Sequence, residues 1–191
     1  MIASREAQLR CYAALVKKWS PSINLVAAST LTDLWDRHIL DSAQLADVAP
    51  EAPSWLDLGS GGGLPGLVLA ILRPTMSVEL LEADARKCAF LRTCSRELDL
   101  PNVRVTNMRI EQRIPATAEH ISARALAPLE RLVPYVARHL APHGTAWLMK
   151  GEAWQNEVDS VRNDWRFTLN VHPSRTRPGA AILQLSDIRH A

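Results

Sequence analysis

The stretch Asp57-Leu58-Gly59-Ser60-Gly61-Gly62-Gly63-Leu64-Pro65-Gly66 decides how this chain folds. It follows the short apolar run Trp55-Leu56-Asp57-Leu58 and leads into Leu67–Leu72, which reads as a helix. Gly59 and Gly61 to Gly63 free the backbone to turn tightly and to approach a ligand closely. The helix behind the loop begins with N–H groups that have no intrahelical partner, and Pro65 suits its first turn because the N–H it lacks would be unpaired there. A strand, a glycine turn and a helix in that order open a doubly wound α/β sheet.

The same alternation continues on the C-terminal side. Strands are expected at 77–82, 103–106, 120–123 and 145–149, and helices at 85–98, 129–140 and 152–162. A hairpin of 165–171 with 181–185 closes the series, and the Pro/Arg/Gly-rich residues 172–179 form its exposed loop. His143-Gly144 is read as the stop of the 129–140 helix. The expected fold is therefore a mainly parallel, seven-stranded, Rossmann-like sheet, with ligands bound at the carboxyl ends of its strands.

On the N-terminal side the pattern is helical. Leu9, Tyr12, Ala13, Val16 and Trp19 share one face of a helix over 4–19, which Ser20-Pro21-Ser22 should end. A second helix is expected over 32–47, with Leu34, Trp35, His38, Ile39 and Leu45 turned inward. The Pro-flanked stretch 49–53 separates this extension, residues 1–50, from a core over 54–191. The whole chain, 1–191, is read as one domain.

Composition excludes several classes. The chain has 191 residues, 47 % hydrophobic and 22 % charged, ordinary for a globular protein. No run reaches the roughly 20 apolar residues of a membrane span, and Glu6 and Arg10 interrupt the stretch a signal peptide would need. A cytoplasmic location with no membrane partner is expected. Cys11, Cys88 and Cys94 form no CxxC, so no metal site is expected and the thiols read as reduced fillers. Net charge is only +2, and the excess lies between residues 51 and 150, where Arg86, Lys87, Arg92, Arg96, Arg104, Arg109 and Arg113 cluster.

Two cofactor readings compete at the glycine loop. Gly61-x-Gly63-x-x-Gly66 matches a dinucleotide fingerprint, with Glu82 or Asp84 about 20 residues on for the ribose. Asp57-x-Gly59-x-Gly61 matches the first motif of S-adenosylmethionine-dependent methyltransferases, with Glu82 at the end of the second strand for the ribose hydroxyls. Asp57 would repel a pyrophosphate, whereas it can meet a cationic amino group directly or through water. The dinucleotide register also starts its turn late, and the chain is too short for a separate substrate domain. A nicotinamide-dependent oxidoreductase and a noncatalytic RNA-binding module remain the alternatives.

Asn24-Leu25, Arg37-His38-Ile39-Leu40-Asp41-Ser42, the 57–66 loop, Ser122-Ala123-Arg124-Ala125 and Lys150-Gly151 occur in an order that resembles the RsmG family. These are bacterial 16S rRNA guanine-N7 methyltransferases, also called glucose-inhibited division protein B. The resemblance covers nearly the whole chain. It implies S-adenosylmethionine as cofactor and a guanine in the decoding-region loop of 16S rRNA, free or within the small subunit, as acceptor. It places Gly59, Leu64, Ile110, Glu111 and Arg124 at the cofactor, beside Gly61 and Glu82 from the first-motif reading; Glu82 stands where many members have aspartate.

Guanine N7 has a lone pair and no proton, so no catalytic acid or base is nominated. Arg37, Arg124 and Lys150 are the candidate RNA contacts, the last two because they follow the fourth and fifth strands. His38 reads as a core histidine. A monomer is expected.

Overall fold

The computed structural model describes residues 2–191; Met1, part of the expected extension, lies outside them. One seven-stranded sheet carries the fold, in the order β3-β2-β1-β4-β5-β7-β6. Its strands are β1 (Ser54–Leu58), β2 (Ser77–Glu82), β3 (Val103–Asn107), β4 (Ala118–Arg124), β5 (Leu140–Lys150), β6 (Trp165–Pro173) and β7 (Ala181–His190). β1 to β5 pair in parallel, and β7 pairs antiparallel with both β5 and β6. Chain order reverses between β1 and β4, so the crevice for a ligand opens beyond the carboxyl ends of those two strands.

Helices cover both faces. α1 (Ile2–Ile23), α4 (Gly66–Leu72) and α5 (Ala85–Glu97) pack on one side around Leu9, Tyr12, Leu67, Leu69, Phe90 and Trp147. α6 (Leu129–His139) and α7 (Trp154–Val161) cover the other side around Leu132, Val133, Val136, Leu148 and Leu183. α4 is buried along its whole length, which explains why GLVLAIL shows no polar face. α5 begins at a capped turn: the Asp84 side chain accepts from the Arg86 and Lys87 N–H groups, satisfying donors that a helix start leaves open. Among the described residues, no helix is long and apolar enough to cross a membrane.

Three expectations are corrected. α1 runs past Ser20-Pro21-Ser22 to Ile23, with Pro21 inside its last turn, where the N–H it lacks costs one intrahelical bond close to the helix end. The turn comes instead at Asn24, which adopts φ +49° and donates its N–H to Ser20 O, an asparagine in the left-handed position where helices often end. The helix expected over 32–47 is broken into a π-helical turn, Trp35–Leu40, and two short pieces, α2 (Asp41–Ala43) and α3 (Leu45–Val48). Leu34, Ile39 and Leu45 point inward as expected, but Trp35 is only half-buried and lies under the Arg10 guanidinium. Finally, Gly144 does not stop a helix. α6 ends at His139, and Leu140 already pairs with Ala118 as β5. A side chain at Gly144 would lie 2.9 Å from Ala118 O, so this glycine permits close strand approach.

Candidate cofactor and substrate site

A cavity of about 910 Å³ opens at the carboxyl ends of β1, β2 and β4, within the size range of small-molecule sites, about 300–1,000 Å³. Gly59, Ser60, Gly61, Gly62 and Leu64 form its floor. Gly59 turns off β1 at φ +62°, and a Cβ there would lie 2.4 Å from Leu126 Cδ1. Its N–H donates to Leu81 O, which ties the loop to β2.

Glu82 ends β2 at the cavity wall, 9 % exposed. Oε2 accepts the Gly61 N–H at 2.8 Å, and Oε1 accepts the Asp84 N–H at 2.8 Å. Each oxygen keeps a lone pair for a further donor. Ile110 and Glu111 follow β3 in a 3₁₀ turn and line the same cavity. Glu111 Oε1 accepts the Tyr135 hydroxyl at 2.5 Å, and this hydrogen bond holds its carboxyl below the usual range.

Asp57 lies elsewhere. It is fully buried and absent from the cavity lining, so the direct contact expected between its carboxylate and a ligand's amino group is not available. Its Oδ1 accepts the Ser122 hydroxyl at 2.5 Å, and Ser122 Oγ in turn accepts the Trp55 indole N–H at 2.9 Å. Oδ2 packs under the loop, where a Cβ at Gly66 would lie 2.7 Å away. Burial raises the carboxyl to about 6, against the Ser122 hydrogen bond that favours the anion. Asp57 thus braces the turn from beneath.

The extension supplies much of the remaining wall. Asn24 to Ala27, Thr30, Arg37, His38 and Asp41 face the glycine loop. Tyr12, read only as a core residue, donates its hydroxyl to Gly62 O at 2.5 Å, clamping α1 to the loop; burial raises its hydroxyl well above the usual value.

The π-helical turn meets β4 through Arg124. In an α-helix Asp41 N–H would bond to Arg37 O; here it bonds to Asp36 O and His38 O. Arg37 O, which the Asp41 N–H does not reach, accepts Arg124 Nη2 at 2.8 Å. Arg124 Nε pairs with Asp41 Oδ2 at 3.1 Å, and Nη2 donates to His38 Nδ1 at 3.0 Å. Since Nδ1 accepts, the proton of the neutral ring sits on Nε2 and is donated to Thr30 Oγ1 at 2.7 Å; Thr30 then donates to Ala27 O. Burial, followed by the Arg124 charge, lowers His38 to about 4. His38 therefore orients the guanidinium, a part that its apolar surroundings in sequence did not reveal.

Gly59, Gly61, Leu64, Glu82, Ile110, Glu111, Arg124 and Arg37 are thus brought around one cavity. Lys150 is not. It lines a smaller cavity of about 170 Å³, and its ammonium is paired with Glu157 Oε2 at 2.6 Å. The exposed guanidinium of Arg37 has no acidic partner among the described residues and stands at the rim with Lys87, Arg109, Arg131 and Arg177.

Comparison with solved structures places this fold among the methyltransferases. A SAM-dependent methyltransferase from Aquifex aeolicus superposes with a TM-score of 0.62 at 13 % identity, covering 80 % of this chain and 92 % of that one. TYW2 of M. jannaschii, solved with AdoMet, gives 0.59 at 13 % identity over 81 % of this chain and 76 % of that one. Sequence relatives are much nearer. The ribosomal RNA small subunit methyltransferase G of Paracoccus denitrificans (strain Pd 1222) is 53 % identical over 100 % of both chains. That of Ruegeria sp. (strain TM1040) is 47 % identical over 97 % of this chain and 93 % of its own. The family described as GidB, rRNA small subunit methyltransferase G, matches residues 5–178. This chain belongs to that family.

Proposed function

We propose that this enzyme transfers a methyl group from S-adenosylmethionine to N7 of a guanine in the decoding-region loop of 16S rRNA. The carrying observation is the convergence of the glycine loop, Glu82 and Arg124 on one cavity at the carboxyl ends of β1, β2 and β4, in a chain whose close relatives are rRNA methyltransferases.

The cavity suits this cofactor better than a dinucleotide. Gly66, the third glycine of the dinucleotide fingerprint, is pressed against Asp57 and Leu80 and does not line the cavity. The start of α4 is closed by the Leu67 N–H to Gly63 O bond, so little of it is open to a phosphate. Glu82 offers acceptors suited to ribose hydroxyls. Ile110, Met108 and Leu126 offer apolar walls for a flat ring. In this reading Gly59, Gly61 and Leu64 seat the amino-acid portion, Glu82 the ribose, and Ile110 and Glu111 the adenine side.

Bound there, S-adenosylmethionine supplies an electrophilic methyl group. The protein aligns donor and acceptor and surrounds the shifting charge with fixed dipoles. Arg124, held by Asp41, His38 and Arg37 O, stands at the mouth without needing to reorganise. Arg37 contacts the RNA from the rim and Lys150 from beyond β5. No side chain has to remove a proton.

The chain works as one domain over 1–191, with residues 1–50 as an extension that completes the cavity and 54–191 as the catalytic core. A monomer in the cytoplasm, where small subunits are assembled, fits this substrate. The test is methyl transfer from S-adenosylmethionine to undermethylated small subunits, with the modified base mapped. Methylation at guanine N7 in the decoding-region loop supports the reading; saturable NADH binding without binding of the adenosyl cofactor overturns it. RNA affinity should also fall steeply with added salt.

A further inference from the structure

The smaller cavity, about 170 Å³, lies between the ends of β4 and β5, α7 and the loop joining β6 to β7. It shares Asp41, Arg124, Ala125 and Arg177 with the larger one, so the two spaces meet across Arg124. Its size admits one flat ring system and not a whole nucleotide. Gly151 lines it with open space where a Cβ would project.

The polar groups in this cavity are unequally satisfied. Both oxygens of Asp41 are engaged: Oδ1 accepts from Gln44, Ser174 and Thr176, and Oδ2 pairs with Arg124. Lys150 and Glu157 are not fully engaged. The Lys150 ammonium donates to Ala127 O at 3.0 Å and forms an ion pair with Glu157 Oε2 at 2.6 Å, so at least one of its three N–H groups is left over. Glu157 Oε2 also accepts the Leu129 N–H at 2.8 Å, while Oε1 bonds nothing among the described residues. One spare donor and one spare acceptor therefore stand side by side, on side chains only 11 % and 25 % exposed.

We propose that this cavity receives the acceptor guanine, with Lys150 donating to O6 and Glu157 accepting from N1–H. The inference rests on the methyltransferase reading above and gives the acceptor base its place. O6 neighbours N7 on the ring, so a base held by its O6/N1 edge can turn N7 toward the larger cavity across Arg124. The chemistry favours a carboxylate at N1. The N7 lone pair forms the new bond to the methyl carbon as the carbon–sulfur bond breaks, its electron pair staying on sulfur. The purine becomes cationic, N1–H becomes a stronger donor, and its hydrogen bond to Glu157 tightens as the reaction proceeds. An interaction that is stronger in the transition state than in the ground state raises the rate constant rather than affinity. Glu157 is then a catalytic residue in the electrostatic sense, taking no proton.

The test is single-turnover methyl transfer to undermethylated small subunits at saturating cofactor and RNA. Glu157→Gln should lower the rate constant by about 100-fold, the lower end of the range for loss of one preorganised electrostatic contact. KM for the subunit and Kd for S-adenosylmethionine should stay within about threefold. Glu157→Asp should recover part of the rate. Lys150→Met should lower it by about tenfold, and the double variant should be little worse than Glu157→Gln, because the two read one edge. An unchanged rate constant, or a loss that follows weakened cofactor binding, overturns the proposal. A second measurement needs no variant: by saturation-transfer NMR, the full chain loaded with S-adenosylhomocysteine should bind 7-methylguanosine monophosphate in preference to guanosine monophosphate. Equal binding, or none of either, overturns it. If wild type itself methylates no guanine, the function reading fails, a result distinct from these.

Discussion

The loop 57–66 and the segment 32–48 both face the same cavity, yet they are built on different principles. The loop is locally determined. Gly59, Gly61 and Gly63 have φ of +62°, +54° and +89°, conformations open to glycine and strained for other residues, and the turn would be read from these residues in any context. The 32–48 segment has an ordinary helical pattern. Its π-helical turn is tied to β4, where Arg37 O bonds to Arg124. A loop of this kind takes its shape from its own glycines, and Leu81, Glu82 and Tyr12 then hold it in place; a segment of the second kind takes its shape beside one distant arginine.

That contrast can be broken at several points. The largest effect is expected at Gly66→Val: the added carbon would meet Leu80 at 2.4 Å and Asp57 Cβ at 2.9 Å. Urea unfolding should show a loss of about 3 kcal/mol or more. Arg124→Ala comes next. It strands Asp41 and frees Arg37 O, and since the pair keeps 16 % and 14 % exposure the cost should be about 2 kcal/mol, with methyl transfer falling at least about 100-fold. Retention of the wild-type melting temperature and rate would show that the extension is independent of β4.

Asp57→Asn probes the support beneath the loop. The carboxyl is raised from 3.8 to about 6, so the stability it contributes is complete below about pH 4 and is lost as pH rises through 6. Wild type should lose on the order of 2 kcal/mol across that window, and thermal melts of Asp57→Asn should be flatter there. His38→Gln should cost little stability and lower methyl transfer by about three- to tenfold, through a less fixed Arg124. His38 is lowered to about 4, so what it contributes to stability is present above pH 6.5 and is lost as pH falls through 4; the variant should lack that acid limb. The smallest effect belongs to Glu6→Ala on α1. Its pair with Arg10 is exposed, so calorimetry should register under about 0.5 kcal/mol.

How far the sequence could be read depended on whether a residue's part is local. Strand–helix alternation, the glycine turn, Glu82 at the end of β2 and Arg124 at the end of β4 follow from periodicity and spacing within short windows, and all were legible. Tyr12 was legible as a buried residue, but its hydroxyl bonds to a carbonyl fifty positions away, which no window contains. Asp57 reads in sequence as an acidic group placed for a ligand's amino group; that it faces Ser122 rather than the cavity depends on the register of β1 against β4. Lys150 was placed at the correct edge of the sheet. Its partner Glu157 lies in the first turn of α7, six residues beyond the glycine that follows the lysine, and nothing in KGEAWQNE marks it.

By itself, then, the sequence determined the layered α/β architecture, the position of the crevice and the residue types at its floor, because backbone freedom and hydrophobic period are properties of neighbours along the chain. Only the tertiary structure decided which polar groups are already spent on one another. Asp41 Oδ1 and Asp57 Oδ1 are taken up by contacts across the fold, Arg124 is fixed by a helix turn more than eighty residues earlier, and Lys150 with Glu157 keeps a donor and an acceptor free. A buried polar group is spent or available according to what packs against it, and that is settled only when distant segments close around the sheet.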